Sequence, residues 1–131
     1  MMILAIDLGQ SKSVACVYDT ESHTHRFASG RQVGAYVGLA PRRYQSGSMD
    51  RQGRISHRGD ALVRSLLVEV AWLGRRWNPW MKAVYERALH GTPSRKKIAI
   101  VALARRLLVV CWAMLRDGTR WKDPLALRLA A

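Results

Sequence analysis

The chain is poor in acid, poor in cysteine and without a long uninterrupted apolar run. Nine aspartates and glutamates stand against 22 lysines and arginines, a formal net charge of +13. The sequence pI is about 11.1. A metabolic enzyme seldom lies that far from neutrality, and the imbalance points to a polyanionic partner or a charged surface. Only two cysteines occur, Cys16 and Cys111, far apart and each inside an apolar segment. They read as buried thiols in a reducing compartment, and with no C-x-x-C pair there is no zinc signature. The longest apolar stretch, residues 98–115, is broken at its centre by Arg105 and Arg106. A charge at the middle of a membrane span costs ~2.5–3.5 kcal/mol, so two adjacent arginines argue against a membrane partner. The opening, Met1 to Asp7, is too short and too acidic for a signal peptide. The expectation is a cytoplasmic chain.

What is present is enough for one ordinary domain: 131 residues, 49% of them hydrophobic, which is too apolar for wholesale disorder. The charge is unevenly spread. Residues 1–30 carry a net of −1, and residues 31–131 a net of +14. Arginine dominates the basic part. It grips phosphates and guanine edges at two points, which lysine cannot do. A ribosomal or chromosome-coating protein shares this bias but seldom carries five tryptophans, as this chain does.

Residues 2–6 and 14–18 are short apolar runs about a turn apart, which predicts a β-hairpin. Neither alternates cleanly, as expected for strands covered on both faces. Two strands cannot bury themselves, so residues 1–24 read as the beginning of a domain together with a patternless junction. Residues 32–39 show helical spacing, ended by Gly38 and Pro41. Residues 42–56, rich in Gly, Ser and Arg, predict a long exposed basic loop. Three helices are expected beyond it: 60–73, 78–89 with Pro79 near its first position, and a last one capped by Ser94 and ending at Gly118. The predicted fold class is mainly α: a short N-terminal β-hairpin, a basic loop, then a small three-helix bundle. The expected division is 1–24 and 25–131.

Three constellations could carry chemistry. Asp7 stands at the end of an apolar strand before Gly9 and a polar turn. It reads either as a carboxylate for a divalent metal in phosphoryl transfer or as a solvated turn residue; the bland reading is slightly favoured. Ser46 precedes Gly47, a pair suited to a tight turn that exposes the hydroxyl. Arg42, Arg43, Arg51, Arg54 and Arg58, with Tyr44, surround it in sequence. A serine nucleophile needs such cations against a scissile phosphate. A loop that only touches backbone phosphates looks the same, and on residue types alone that reading is favoured. Finally, Trp72, Trp77, Trp80, Trp112 and Trp121 are interleaved with arginines. Trp72 and Trp112 are expected inside the bundle, while Trp77 and Trp80 are left open between core and base stacking. His23, His25, His57 and His90 lack ligand spacing and are expected at the surface. Lys96 and Lys97 are open between phosphate contact and a solvated pair.

Arg26-Phe27, Arg31-Gln32-Val33-Gly34-Ala35-Tyr36-Val37-Gly38-Leu39-Ala40-Pro41, Tyr44-Gln45-Ser46-Gly47 and Gly53-Arg54-Ile55-Ser56-His57-Arg58-Gly59-Asp60 follow one another in the chain. Together they resemble the C-terminal domain of Piv/MooV-type recombinases, the transposases of the insertion-sequence 110 family. Residues 66–72 and 96–105 resemble two further blocks of the pattern, so the likeness covers about 25–121. Residues 3–9 and 13–15 resemble the first strand pair of that family's RuvC-like domain.

The resemblance implies DNA as substrate and a place in DNA transposition and recombination. It implies Ser46 as the position of the nucleophile, Asp7 as the first of four acidic ligands for Mg²⁺, and an element-encoded RNA as a partner. Full members run to more than twice this length. The other three acidic positions are missing between about residues 20 and 25, which implies an internal deletion. Binding without catalysis by the chain alone is therefore expected. The alternatives are an inactive remnant that competes with, or assembles with, full-length transposase, and a basic nucleoid-type protein. Self-association and a nucleoid location in a bacterial cytoplasm belong to the same expectation.

Overall fold

The computed structural model describes residues 2–8, 13–19 and 27–121; for the first two of these segments, and for Gln52, only the backbone is described. The chain begins with strands β1 (Met2–Leu8) and β2 (Ser13–Asp19), paired antiparallel with Asp7 opposite Val14 and Ala5 opposite Cys16. Helix α1 (Gly30–Tyr36) follows. A second antiparallel pair comes next, β3 (Pro41–Ser46) and β4 (Met49–Ile55). Helices α2 (Ala61–Trp77), α3 (Pro79–Leu89) and α4 (Lys96–Asp117) complete the fold.

The mainly α class, the N-terminal hairpin and the three-helix bundle agree with the reading of the sequence. The basic loop does not. Residues 41–55 form a hairpin with Gly47 and Ser48 between its strands and Gly47 at φ 56°. Glycine at the first of two turn positions matches the right-handed twist of paired strands. The apolar alternation that normally reveals a strand is missing here because all six residues of β3 are exposed.

The helix ends follow from local chemistry. Asp60 accepts hydrogen bonds from the Leu62 and Val63 amides at 2.8 and 3.2 Å and so opens α2. Asn78 accepts from the Met81 amide at 3.1 Å, and Pro79 fixes the first residue of α3. Ser94 does not cap α4. It lies inside a 3₁₀ turn, Pro93–Arg95, that feeds the helix, because Pro93 starts the turn one residue earlier. Gly118, at φ 61°, ends α4 as expected.

α4 is the centre of the molecule: α1, α2 and α3 all pack on it, and β2 touches it as well. Its buried side Ala99, Ile100, Leu103, Ala104, Leu107, Leu108, Cys111 and Trp112 meets Val33, Val37, Leu39, Leu67, Ala71, Trp80, Met81 and Tyr85. No polar or charged side chain is buried among the described residues. By length and composition α4 would also suit a membrane crossing. In this fold its apolar side is the core of the bundle, and Arg105 and Arg106 stand at its middle.

Trp112 is buried as expected. Trp72 is not: it lies at the bundle surface, because Arg75 takes the place beside Tyr85. The Arg75 guanidinium sits 4.9 Å from the Trp72 ring and 5.0 Å from the Tyr85 ring, tying α2 to α3. Trp80 is core, while Trp77 is 80% exposed. His57 and His90 are exposed, as expected; His23 and His25 lie outside the described residues.

The second hairpin is fixed to the bundle at its base. Gly38 (φ 78°) and Gly59 (φ 94°) lie where two chain segments cross, and a Cβ on either would stand 2.0 Å from a backbone oxygen of the other segment. The Ser56 and His57 amides donate to the Ala40 and Gly38 carbonyls. Arg64, from α2, reaches the carbonyls of Val37, Arg58, Gly59 and Asp60 at 3.0–3.4 Å.

Candidate functional site

Between the second hairpin and the N-terminal half of α4 runs an open groove. The hairpin contributes Arg42, Arg43, Tyr44, Gln45, Ser46, Met49, Arg51, Gly53, Arg54 and Ile55 to its walls. α4 and the turn before it contribute Arg95, Lys97, Ile98, Val101, Ala102 and Arg105. Lys97, Val101 and Arg105 are four residues apart, with Ile98 and Ala102 beside them. They form one stripe of the helix, bordering the side that packs into the bundle, with Val101 partly buried against the core. Seven of the lining residues are lysines or arginines and none is acidic.

Register places the hairpin residues. Ser46 opposes Met49 and Tyr44 opposes Arg51, so these four share a face. Gly53 follows on that face, and the Tyr44 ring closes down on it. A Cβ at residue 53 would stand 2.7 Å from Tyr44 Cε2. Ser46 is the last residue of β3, exposed at the tip, where Gly47 turns the chain.

On the other face Arg43 holds Asp50 with Nε on Oδ1 and Nη2 on Oδ2. The hydrogen bonds from Arg43 keep the Asp50 carboxyl below the usual carboxylate range, and those to Asp50 raise the Arg43 guanidinium. Arg42 Nη2 donates to the Ser56 carbonyl at 3.2 Å, which ties its guanidinium to the hairpin base.

Of the residues singled out in the sequence, the structure brings Ser46, Arg42, Arg43, Tyr44, Arg51 and Arg54 to one groove. It does not bring Arg58, which lies in the connector to α2 outside the groove lining. Asp7 stands on the first hairpin, opposite Val14, and its side chain is not among those described. Mg²⁺ needs several oxygen ligands. Among the described residues no three His, Cys, Asp or Glu side chains come together as a metal site, so these residues do not fit that ion. Sequence reasoning missed Arg95, Ile98, Val101, Ala102 and Arg105. The signal was available in part: once Ile100, Leu103, Leu107 and Cys111 are assigned to the core, the residues at 97, 101 and 105 must share another face.

At the base of α4, Arg95, Lys96 and Lys97 crowd the positive end of the helix dipole with no acid in the first turn. Each such cation is unfavourable there by tenths of a kcal/mol to ~1 kcal/mol at most. An anion in the groove would offset that repulsion.

The family model described as "Transposase IS116/IS110/IS902 family" matches residues 8–86. A putative transposase, y4rJ, of Sinorhizobium fredii is 37% identical over 123 residues, which cover 89% of this chain and 30% of that protein. The transposase for insertion sequence element IS1111A of Coxiella burnetii is 33% identical over 107 residues, 76% of this chain and 28% of that protein. The pilin gene-inverting protein of Moraxella lacunata is 34% identical over 95 residues, 70% of this chain and 29% of that protein. The chain therefore spans less than a third of the length of these relatives.

Proposed function

The chain belongs to the IS116/IS110/IS902 transposase family, and from that premise we propose that it is the nucleic-acid-binding part of a DNA recombinase, with the groove between the second hairpin and α4 as its binding site. The observation that carries this reading is the groove lining: seven cations, of which Arg43 is paired with an acid of the hairpin, no acid in the lining itself, and an exposed serine at the hairpin tip. Cations at that density release condensed counterions when they meet phosphates, which makes binding both tight and salt-dependent. Arginine predominates among them, as it does where planar two-point contacts to phosphate matter.

In this reading Ser46 is the nucleophile position. Its hydroxyl would attack a phosphodiester, join one strand to Oγ and release the other as a hydroxyl, with groove arginines neutralising the developing charge. Mg²⁺ would need carboxylates from beyond the described residues. A full-length transposase assembled with this chain is one source, and the RuvC-like origin of residues 1–24, with the division at 24/25, belongs to the same proposal. So do an element-encoded RNA as a second ligand, self-association, and a place at the nucleoid in a bacterial cytoplasm.

The experiment is incubation of the purified chain with Mg²⁺, element-end DNA and its flanking transcript, followed by a denaturing gel, with Ser46→Ala in parallel. A covalent adduct present in the parent and absent from Ser46→Ala supports strand joining through Ser46. Salt-sensitive binding without an adduct supports a binding-only piece. Absence of binding would remove the proposal altogether.

A further inference from the structure

We infer that the groove receives a nucleic-acid strand with its bases unstacked, in preference to an intact duplex. This rests on the reading of the groove as a nucleic-acid site. A duplex offers phosphates and base edges, while its base faces are closed against one another. A surface meeting only a duplex gains little from exposed apolar atoms in its lining. A single strand also offers base faces, and these settle on aromatic and apolar side chains.

The groove is built from both kinds of residue. Its α4 side carries Ile98, 59% exposed, next to Val101 and Ala102. Its hairpin side carries Tyr44 and Met49, 57% and 68% exposed. Cations flank these apolar residues on both walls, among them Arg51 and Arg54 on the hairpin and Arg95 and Lys97 on the helix side. Cations interleaved with exposed apolar and aromatic side chains are what a strand needs when its phosphates and its base faces are both to be held.

Tyr44 is held ready for this. Gly53 leaves its ring room to close on the hairpin backbone, where a Cβ would stand 2.7 Å from Cε2. A ring already ordered on the strand loses less freedom when a base stacks on it. The ring remains more than half exposed and lines the groove. Ile98 lies on a helix whose reverse side is fully packed, so its exposure cannot be relieved by rotating α4 without opening the core.

The test is fluorescence anisotropy of the full chain with a labelled single-stranded DNA, the same sequence as RNA, and the corresponding DNA duplex, at low and at physiological salt. The expected result is that a single strand binds about ten-fold more tightly than the duplex. Tyr44→Ala should lower single-strand affinity roughly 5- to 150-fold, the range of one lost base–aromatic stack, and leave duplex affinity nearly unchanged. Tyr44→Phe should keep the parent's preference, and Ile98→Ser should lose part of it. Thermal melts of each variant establish that it folds. The DNA and RNA arms decide which strand is the natural ligand. If the duplex binds as tightly as the single strand, or Tyr44→Ala weakens both alike, the preference for unstacked bases is overturned while the basic groove remains a nucleic-acid site. If nothing binds, both readings fall together.

Discussion

Arg43 grips Asp50 across the second hairpin at two points, Nε to Oδ1 at 2.9 Å and Nη2 to Oδ2 at 2.5 Å. The basic groove thus contains a guanidinium already paired with an acid of the same hairpin. Asp50→Asn should free it, tighten nucleic-acid binding and steepen the salt dependence by about one phosphate contact, ~0.7–0.9 in log–log slope. A binding isotherm series against salt checks this, and an unchanged slope would mean that Arg43 takes no part. The pH dependence follows from the lowered Asp50 carboxyl. A depressed carboxylate keeps its pairing above its unfolded value and loses it only as pH falls through the lowered folded value. The pair therefore stays closed across the neutral range, and affinity should not change there on account of Asp50.

The arginines separate by position. Arg54→Ala and Arg95→Ala should each flatten the salt slope by ~0.7–0.9, because both line the groove. Arg58→Ala should not, because its side chain lies outside the groove lining. Equal effects of all three would point to a diffuse basic surface instead of a groove.

Where residues 36–38 cross residues 58–59, two glycines carry the contact. Gly59→Ala places a side chain at φ 94° and drives its Cβ toward the Tyr36 carbonyl. A strained backbone of that kind costs ~1–3 kcal/mol before any clash. Chemical denaturation should show at least that loss, and the hairpin should lose protection from amide exchange before the bundle does.

Leu103 is fully buried at the centre of α4, among residues of α1, α2 and α3. Leu103→Ala should destabilise the chain by about 2–5 kcal/mol, measured as a fall in denaturation midpoint. A loss under ~1 kcal/mol would mean that the bundle is looser than its burial indicates.

Burial raises the Cys111 thiol, which suppresses the reactive thiolate. In a Cys16→Ser background, Cys111 should react slowly with a thiol reagent when native and quickly when unfolded. Fast native labelling would place it at the surface.

The bundle was legible in the sequence because its helices are amphipathic and their stops are Asn78-Pro79, Pro93 and Gly118, each with a local mechanism. The second hairpin was not. Arg42, Arg43, Gln45 and Ser46 bury nothing, so no period of two marks them as a strand, and Gly and Ser read as loop. The hairpin half of the site was visible as a run of arginines about Ser46. Its α4 half was hidden, since Lys97, Ile98, Val101 and Arg105 read one by one as parts of an amphipathic helix. Only the fold, with the hairpin rooted at the crossing of Gly38 and Gly59, makes the two halves neighbours. Arg58 fell the other way: near Ser46 in sequence, it is carried off by the turn into α2.

Folding and recognition are written on opposite sides of one helix. Positions 99, 100, 103, 104, 107 and 108 of α4 are committed to the bundle, while 97, 98, 101, 102 and 105 face outward into the groove. Lys97, Ile98 and Ala102 are exposed and can be exchanged without unseating the inward positions, whereas Val101 is partly buried against the core and answers to both sides. What the helix grips can therefore be altered at its exposed positions while the scaffold beneath stays as it is.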